Sequence, residues 1–364
     1  MPLIAVSAAW AVFWGSWSAL LPALKLELGV TAGDLGLALS LVPVGALPAM
    51  ALAGRLARGR ERAALMATTA LFAVSVAGIG LVSTLWQLAL ALLVVGAASG
   101  ALDVALNLAT GRAERESGRR LFQAVHAAFP VAVIAAAPLT GLARSLGLGV
   151  APVLLIVAAV VLAATLSLPA LPLGHGPAAG PPRTDRRSLW GAALVLGLLA
   201  ACALVIENSV EQWSVLLLEA HRGAPPVVSS AAPAVYMAAL TTGRLVVQVL
   251  PRVPLRALYL VAGVGGGAGI ALAGLGGTVL VSMAGFAVTG LALGPLVPAV
   301  LSRSAADDAS GTLVWGVSTI SYTGFVVSPL LVAGLSGWLG LPAALAALGL
   351  LGLPLVARFA VARA

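Results

Sequence analysis

Ile206-Glu207-Asn208-Ser209-Val210-Glu211-Gln212-Trp213-Ser214 lies inside an apolar run that begins near Leu189 and ends near Leu218. A continuous apolar stretch of that length is long enough to cross a bilayer as a helix. Its two carboxylates, four residues apart, share one face of that helix. A charged side chain in hydrocarbon costs ~2.5–3.5 kcal/mol on insertion scales, so acids at such a depth mark a working site. The rest of the chain reads as the membrane container for groups of this kind.

Composition agrees. Of 364 residues, 61% are apolar and 9% charged, and the mean hydropathy is +1.09. Soluble domains carry about 25% charged residues. The apolar runs are continuous rather than alternating with period two, which argues against a membrane barrel. Helices are expected at about 3–24, 33–56, 62–83, 86–110, 121–144, 148–171, 189–218, 227–250, 255–275, 277–301, 311–337 and 340–359. Residues 172–188 are rich in proline, glycine and arginine and read as a flexible linker. The expected organisation is therefore an all-α membrane protein with twelve transmembrane helices in two six-helix bundles, 1–171 and 189–364. The first run, up to Leu24, reads as a retained helix rather than a cleavable leader.

The net charge of +8 follows topology and is not a nucleic-acid signal. With the N-terminus inside, 17 of the 20 basic residues fall on the inner side, and Lys25, Arg144 and Arg222 fall outside. Both termini are then cytoplasmic. The lone cysteine, Cys202, allows neither an internal disulfide nor a cysteine-based metal site. Three scattered histidines point to no metal, and no cofactor is expected. The chain also lacks a Gly-x-Ser-x-Gly elbow and a His-Glu-x-x-His pair, so an enzyme is not expected.

The halves repeat one another. Trp17-Ser18-Ala19-Leu20-Leu21 recurs as Trp213-Ser214-Val215-Leu216-Leu217, Gly54-Arg55-Leu56 as Gly243-Arg244-Leu245, and Pro138 as Pro329, at offsets of 196, 189 and 191 residues. Parallel repeats of this kind pair two bundles about an axis along the membrane normal, with a site between them near the midplane.

Twelve spans, a central linker and parallel half-repeats resemble the major facilitator superfamily. Gly100-Ala101-Leu102-Asp103-Val104-Ala105-Leu106-Asn107, Gly111-Arg112-Ala113-Glu114-Arg115, Phe122-Gln123-Ala124-Val125-His126, Glu207 and Gly243-Arg244-Leu245 together resemble a bacterial branch related to the fucose–proton symporters. That resemblance implies a secondary active transporter in the bacterial cytoplasmic (inner) membrane. It would be a multi-pass monomer that moves a small polar or amphipathic organic solute, sugar-like among the options, with protons as the coupling ion. Two features depart from the pattern. The superfamily's Gly-x-x-x-Asp-Arg-x-Gly-Arg loop reads here Gly54-Arg55-Leu56-Ala57-Arg58-Gly59-Arg60-Glu61-Arg62, without the aspartate. The first helix carries no acid before Glu27, so the fucose-type acid there has no counterpart.

Among the 12 acidic residues, Asp103, Glu207 and Glu211 fall well inside spans. At 1.5 Å per residue, Asp103 lies roughly 7 Å to the inner side of the midplane and Glu207 roughly 6 Å to the outer side. A carboxyl that holds a proton in one access state and releases it in the other couples proton to solute movement. The alternative is a structural interhelical hydrogen bond. His126 is a further candidate for proton transfer, against a packing role. For the solute, Asn107 lies one turn beyond Asp103, and Gln123 lies i−3 from His126. Trp10 and Trp14 stand with Trp17 at i, i+4, i+7, and Trp315, Thr319 and Tyr322 repeat that spacing. Aromatic faces beside hydroxyls suit a sugar-like or amphipathic solute. The bland alternatives are core packing, lipid contact or, for Trp17, an interfacial anchor. Asn208 and Tyr236 complete the binding candidates. Arg55, Arg58, Arg60 and Arg244 are expected to steady the inner gate or merely to set topology. Two other functions remain open at this point: drug or metabolite efflux by antiport, and a non-transporting receptor or assembly protein on the same fold.

Overall fold

The computed structural model describes residues 2–118, 121–171, 173, 190–250, 253–307 and 312–361. Apart from Leu173, the linker 172–188 lies outside the described residues. Every regular element among those described is helical, and the chain divides into two compact units. The first comprises Met1–Ala179 with Pro225–Ala234, the second Gly180–Ala224 with Val235–Ala364.

In the first unit the helices are α1 (Pro2–Leu28), α2 (Ala32–Leu39), α3 (Leu41–Leu56), α4 (Glu61–Ile79), α5 (Leu85–Ser117), α6 (Phe122–Ser145) and α7 (Val150–Leu166). The chain continues through α8 (Trp190–Arg222), the short α9 (Pro226–Ser229), α10 (Ala231–Val249), α11 (Leu255–Val261), α12 (Gly267–Leu275), α13 (Val279–Leu293), α14 (Leu296–Asp307), α15 (Thr312–Ser321), α16 (Thr323–Ala347) and α17 (Gly352–Val361). A π-turn at Ala262–Gly266 joins α11 to α12.

Ten stretches of the described residues are long and apolar enough to span a membrane. The last of them, Gly316–Ala360, runs for 45 residues. At 1.5 Å per residue that is about 68 Å, against a hydrocarbon core of about 30 Å. Gly340, with φ 76°, interrupts it in a conformation that L side chains avoid. Helix α10 is not among the ten; Thr241, Thr242, Arg244 and Gln248 dilute its hydropathy. The second expected helix, 33–56, is divided at Ser40 into α2 and α3. Pro43 explains the break, because it has no N–H to give the carbonyl four residues earlier. Helix α5 runs seven residues beyond the expected 110 and ends on Gly118 in the left-handed region, φ 67°.

Small residues let the helices meet backbone to backbone within each unit. In the first, Gly45, Gly96 and Gly100 form the α3–α5 seam; a Cβ on Gly45 or Gly96 would strike the Leu93 or Val42 carbonyl. Gly290 and Gly294 bring α13 equally close to the Tyr236 and Leu240 carbonyls of α10. Hydroxyl pairs echo one another too. Thr140 of α6 donates to Ser16 of α1 at 2.8 Å, and Ser209 of α8 pairs with Ser328 of α16 at 2.9 Å. The repeated tryptophans are both core residues, Trp17 1% and Trp213 0% exposed. Trp17 stacks on Phe13 with ring centroids 5.8 Å apart. It is thus packing rather than an interfacial anchor.

Candidate functional site

Each unit carries its own set of polar groups. In the first, α5 presents Asp103, half-buried, and one turn on the Asn107 amide donates to its Oδ1 at 2.9 Å. That bond ties the carboxylate to the next turn of its own helix. The α3–α5 seam at Gly100 sets the height of Asp103. On α1, Trp10 is half-buried; its indole N–H donates to Ser99 of α5 at 2.9 Å, and its ring meets Phe129 of α6 edge-on at 5.1 Å. Trp10 therefore ties three helices near Asp103. Trp14 is also half-buried, edge-on to Phe13 at 5.0 Å. His126 is exposed on α6 and stacks flat against Phe122, 5.9 Å between rings. The side chains of Gln123 and Trp315 lie outside the described residues.

In the second unit, Glu207 and Glu211 of α8 are both half-buried within a 33-residue apolar helix. They act electrostatically on one another, and the Arg244 guanidinium of α10 acts on both. Arg244 also donates its Nε–H to the Gly294 carbonyl at 3.0 Å. Tyr236, two turns before Arg244 on α10, is fully buried, and both carboxylates act on its phenol oxygen. Among the described residues that oxygen has no hydrogen-bond partner, and neither has the buried Oγ of Ser214. Asn208 is buried on α8. Thr319 is exposed, and Tyr322 is exposed with its ring 5.4 Å from Phe325. The structure thus gathers Glu207, Glu211, Tyr236 and Arg244, and separately Asp103, Asn107 and Trp10.

The charged end of α5 holds residues that the sequence reading undervalued. Arg112, 9% exposed, pairs with Glu61 at 2.9 Å and with Glu116 at 2.7 Å. Glu61 also accepts the Gly59 N–H at 2.9 Å. The acid beside the α3–α4 loop is thus Glu61, the first residue of α4, three residues after the position where the family pattern carries aspartate. Arg55, Arg58 and Arg60 are exposed. Glu114 accepts the N–H groups of Leu121 and Phe122 at 2.7 and 3.1 Å, capping the start of α6. The i,i+4 spacing of Arg112 and Glu116 was readable as a helical pair; the Glu61 partner, 51 residues away, was not.

The Major Facilitator Superfamily family model matches residues 3–322. The chain belongs to the Major Facilitator Superfamily. It is 30% identical over 325 residues to an uncharacterized MFS-type transporter of Yersinia pestis, covering 86% of this chain and 83% of that protein. It is 24% identical over 336 residues to the membrane protein MosC of Rhizobium meliloti, covering 91% and 82%. Among solved structures, the nucleoside transporter NupG superposes with a TM-score of 0.79 at 16% identity, over 99% of this chain and 98% of that one. A bacterial homolog to the human lysosomal transporter Spinster superposes at 0.77 with 13% identity, over 100% and 95%. At those identities the likeness is one of fold. This superfamily member is a multi-pass membrane protein and a transporter rather than an enzyme, and its fold implies a small-molecule solute and a lipid bilayer around it.

Proposed function

We propose that this protein is a proton-coupled secondary transporter of a small polar or amphipathic organic solute, working by alternating access as a twelve-span monomer. Both termini would lie in the cytoplasm and the protein in the bacterial inner membrane. The observation that carries this reading is the placement of Asp103, Glu207 and Glu211, half-buried in long apolar helices. Each of the three residues is only partly covered by protein. Facing lipid, a charge there would cost ~2.5–3.5 kcal/mol. Facing water, it is where a proton or solute arrives. Asp103 and Glu207 are assigned the coupling role, with Glu211 and His126 as relays. Trp10, Trp14, Asn107, Asn208 and Tyr236 are assigned to the solute. The Asp103–Asn107 bond supports kinship with the fucose–proton symporter branch, in which an acid precedes an asparagine by four residues.

The test is solute-dependent proton flux in proteoliposomes with an imposed pH gradient. Asp103→Asn and Glu207→Gln should each abolish coupled flux. Solute counterflow, which needs no net proton movement, should survive in at least one of them. Unchanged coupled flux in both variants would remove these residues from the mechanism.

A further inference from the structure

Four arginines crowd the turn between α3 and α4, which reads Arg55-Leu56-Ala57-Arg58-Gly59-Arg60-Glu61-Arg62. Arg55, Arg58 and Arg60 are exposed and Arg62 is half-buried. Among the described residues none of the four makes a side-chain hydrogen bond or an ion pair. The acid in the stretch does not serve them. Glu61 is buried; one of its oxygens accepts from Arg112 of α5 at 2.9 Å and the other from the Gly59 N–H at 2.9 Å. The turn thus shows its arginines outward and keeps its acid inward. Three of those arginines, Arg58, Arg60 and Arg62, flank the first turn of α4. That end of a helix dipole favours anions and disfavours cations.

The depth of the turn follows from its length. It joins two stretches that can each cross a bilayer, Ala32–Leu56 and Glu61–Ile79, through residues 57–60 alone. The Arg60 N–H donates to the Ala57 carbonyl at 2.9 Å, Ala57 is buried, and Gly59 takes φ 76°. A chain that must return after two residues rises no more than about 7 Å. The headgroup layer is about 5–8 Å deep on each side of the hydrocarbon, so the arginines stand within it. Below them Leu52 and Leu56, one turn apart on α3, are 57% and 66% exposed, as side chains against acyl chains would be. A guanidinium binds phosphate through paired N–H bonds. A zwitterionic headgroup brings its own cation and leaves the arginine charge unmatched. We infer that the α3–α4 turn is a docking surface for anionic phospholipid, with Arg55, Arg58 and Arg60 holding headgroup phosphate and Leu52 and Leu56 lying along the acyl chains. The surface takes no residue from the solute or coupling groups and stands independently of them.

The test uses full-length protein in neutral detergent micelles and follows thermal unfolding as phosphatidylglycerol or phosphatidylcholine is added at matched mole fraction. Phosphatidylglycerol should raise the melting temperature saturably, and phosphatidylcholine should not. Each basic residue beside an anionic surface strengthens attachment about fivefold. Arg58→Gln/Arg60→Gln should therefore raise the phosphatidylglycerol fraction needed for half the shift about twenty-five-fold. Arg256→Gln/Arg303→Gln removes the same charge from exposed sites in the second unit and should change that fraction by less than about fivefold. Neither Arg58 nor Arg60 makes a side-chain bond among the described residues, so the lipid-free melting temperature of their variant should be no lower than that of the parent. A lost lipid shift then reports binding and not folding. Should that variant fail to fold, salt decides on the parent protein. A tenfold rise in sodium chloride shortens the screening length about threefold and should suppress the shift. The inference is overturned if phosphatidylcholine stabilises as well as phosphatidylglycerol, if the Arg58/Arg60 variant loses no more than the Arg256/Arg303 variant, or if the shift survives salt. It is also overturned if inorganic phosphate at matched ionic strength stabilises as much as the lipid, which would make the turn a site for free phosphate.

Discussion

Replacing Gly100 by alanine tests whether the seam under Asp103 is as tight as the structure shows. A Cβ at Gly100 would lie 2.8 Å from the Ala46 carbonyl oxygen and 2.9 Å from both Ala46 Cα and Met50 Cγ. Comfortable carbon contacts are about 3.5–4.0 Å, so the neighbours must withdraw by roughly 0.6–1 Å. Met50 can swing aside; the Ala46 backbone cannot move without α3. Because Gly45 and Gly96 line the same seam, α3 would have to move along much of its length. Overpacking of this kind costs about 1–3 kcal/mol. Gly78 of α4 is the matched control, since a Cβ there meets nothing within 4 Å. In a helix interior that exchange gains about 0.5–1 kcal/mol by restricting the unfolded chain, and in the last turn of α4, where Gly78 stands, it gains less. The same chemical change should therefore be destabilising at Gly100 and neutral to stabilising at Gly78, a separation of roughly 1–4 kcal/mol. Reversible unfolding by sodium dodecyl sulfate in mixed micelles reads this difference directly. Asp103 lies one turn beyond Gly100, so coupled proton flux should also fall in Gly100→Ala and persist in Gly78→Ala. Equal stability of the two variants would refute the seam, and normal flux in a destabilised Gly100→Ala would sever it from Asp103.

Other perturbations separate structural from functional polar groups. Ser328→Ala should cost about 0.6 kcal/mol and at most about 1.7 in the same unfolding assay, because Ser209 keeps its bond to the Val205 carbonyl. Arg112→Ala should lower the melting temperature more than Arg58→Ala, because only the first leaves Glu61 without its partner; equal effects would dismiss the Glu61–Arg112 pair as a structural tie. Trp10→Phe should lower stability by about 1 kcal/mol through loss of its bond to Ser99. Trp17→Phe removes an indole N–H that has no partner among the described residues, so its fall in melting temperature should reflect lost ring volume alone.

The spans were legible because hydrocarbon imposes one solution on the backbone, and helix length then follows from bilayer thickness. The membrane class came from that constraint alone. The Asp103–Asn107 bond was legible for a different reason: i,i+4 neighbours on a helix meet whatever the tertiary structure. Contacts between helices were not legible. Nothing in the spacing of Glu61 and Arg112 shows that the start of α4 meets the C-terminal end of α5. Trp17 read equally well as an anchor or as core, because an indole suits both places and only packing against Phe13 decides. The division of the second helix at Ser40 was hidden for a related reason. Proline near a helix start is ordinary, and only the observed break shows where the start is.

Comparing the two units separates scaffold from chemistry. What the repeat preserves is backbone contact: glycine seams, hydroxyl pairs between helices, and a buried tryptophan on α1 and again on α8. Arg55 recurs as Arg244, but the acids of α8 do not recur on α1. The residues 196 positions before Glu207 and Glu211 are Ala11 and Gly15. A Cβ on Gly15 would lie 3.1 Å from the Val133 carbonyl and 3.2 Å from Ala136 Cβ, so α6 occupies the space that a carboxyl would need. The first unit instead carries its acid on α5, held by Asn107. A duplicated membrane bundle can keep its helix contacts only if both copies pack alike. It can bind an asymmetric solute only if the copies differ in polar groups. Acids are therefore expected at non-equivalent positions in the two halves. An Ala11→Glu/Gly15→Glu variant, which would impose the α8 pattern on α1, should force α6 away and fail to reach the membrane folded. Normal folding of that variant, measured by its monodispersity and melting temperature after extraction, would show that packing at Gly15 does not restrict where the acids can lie.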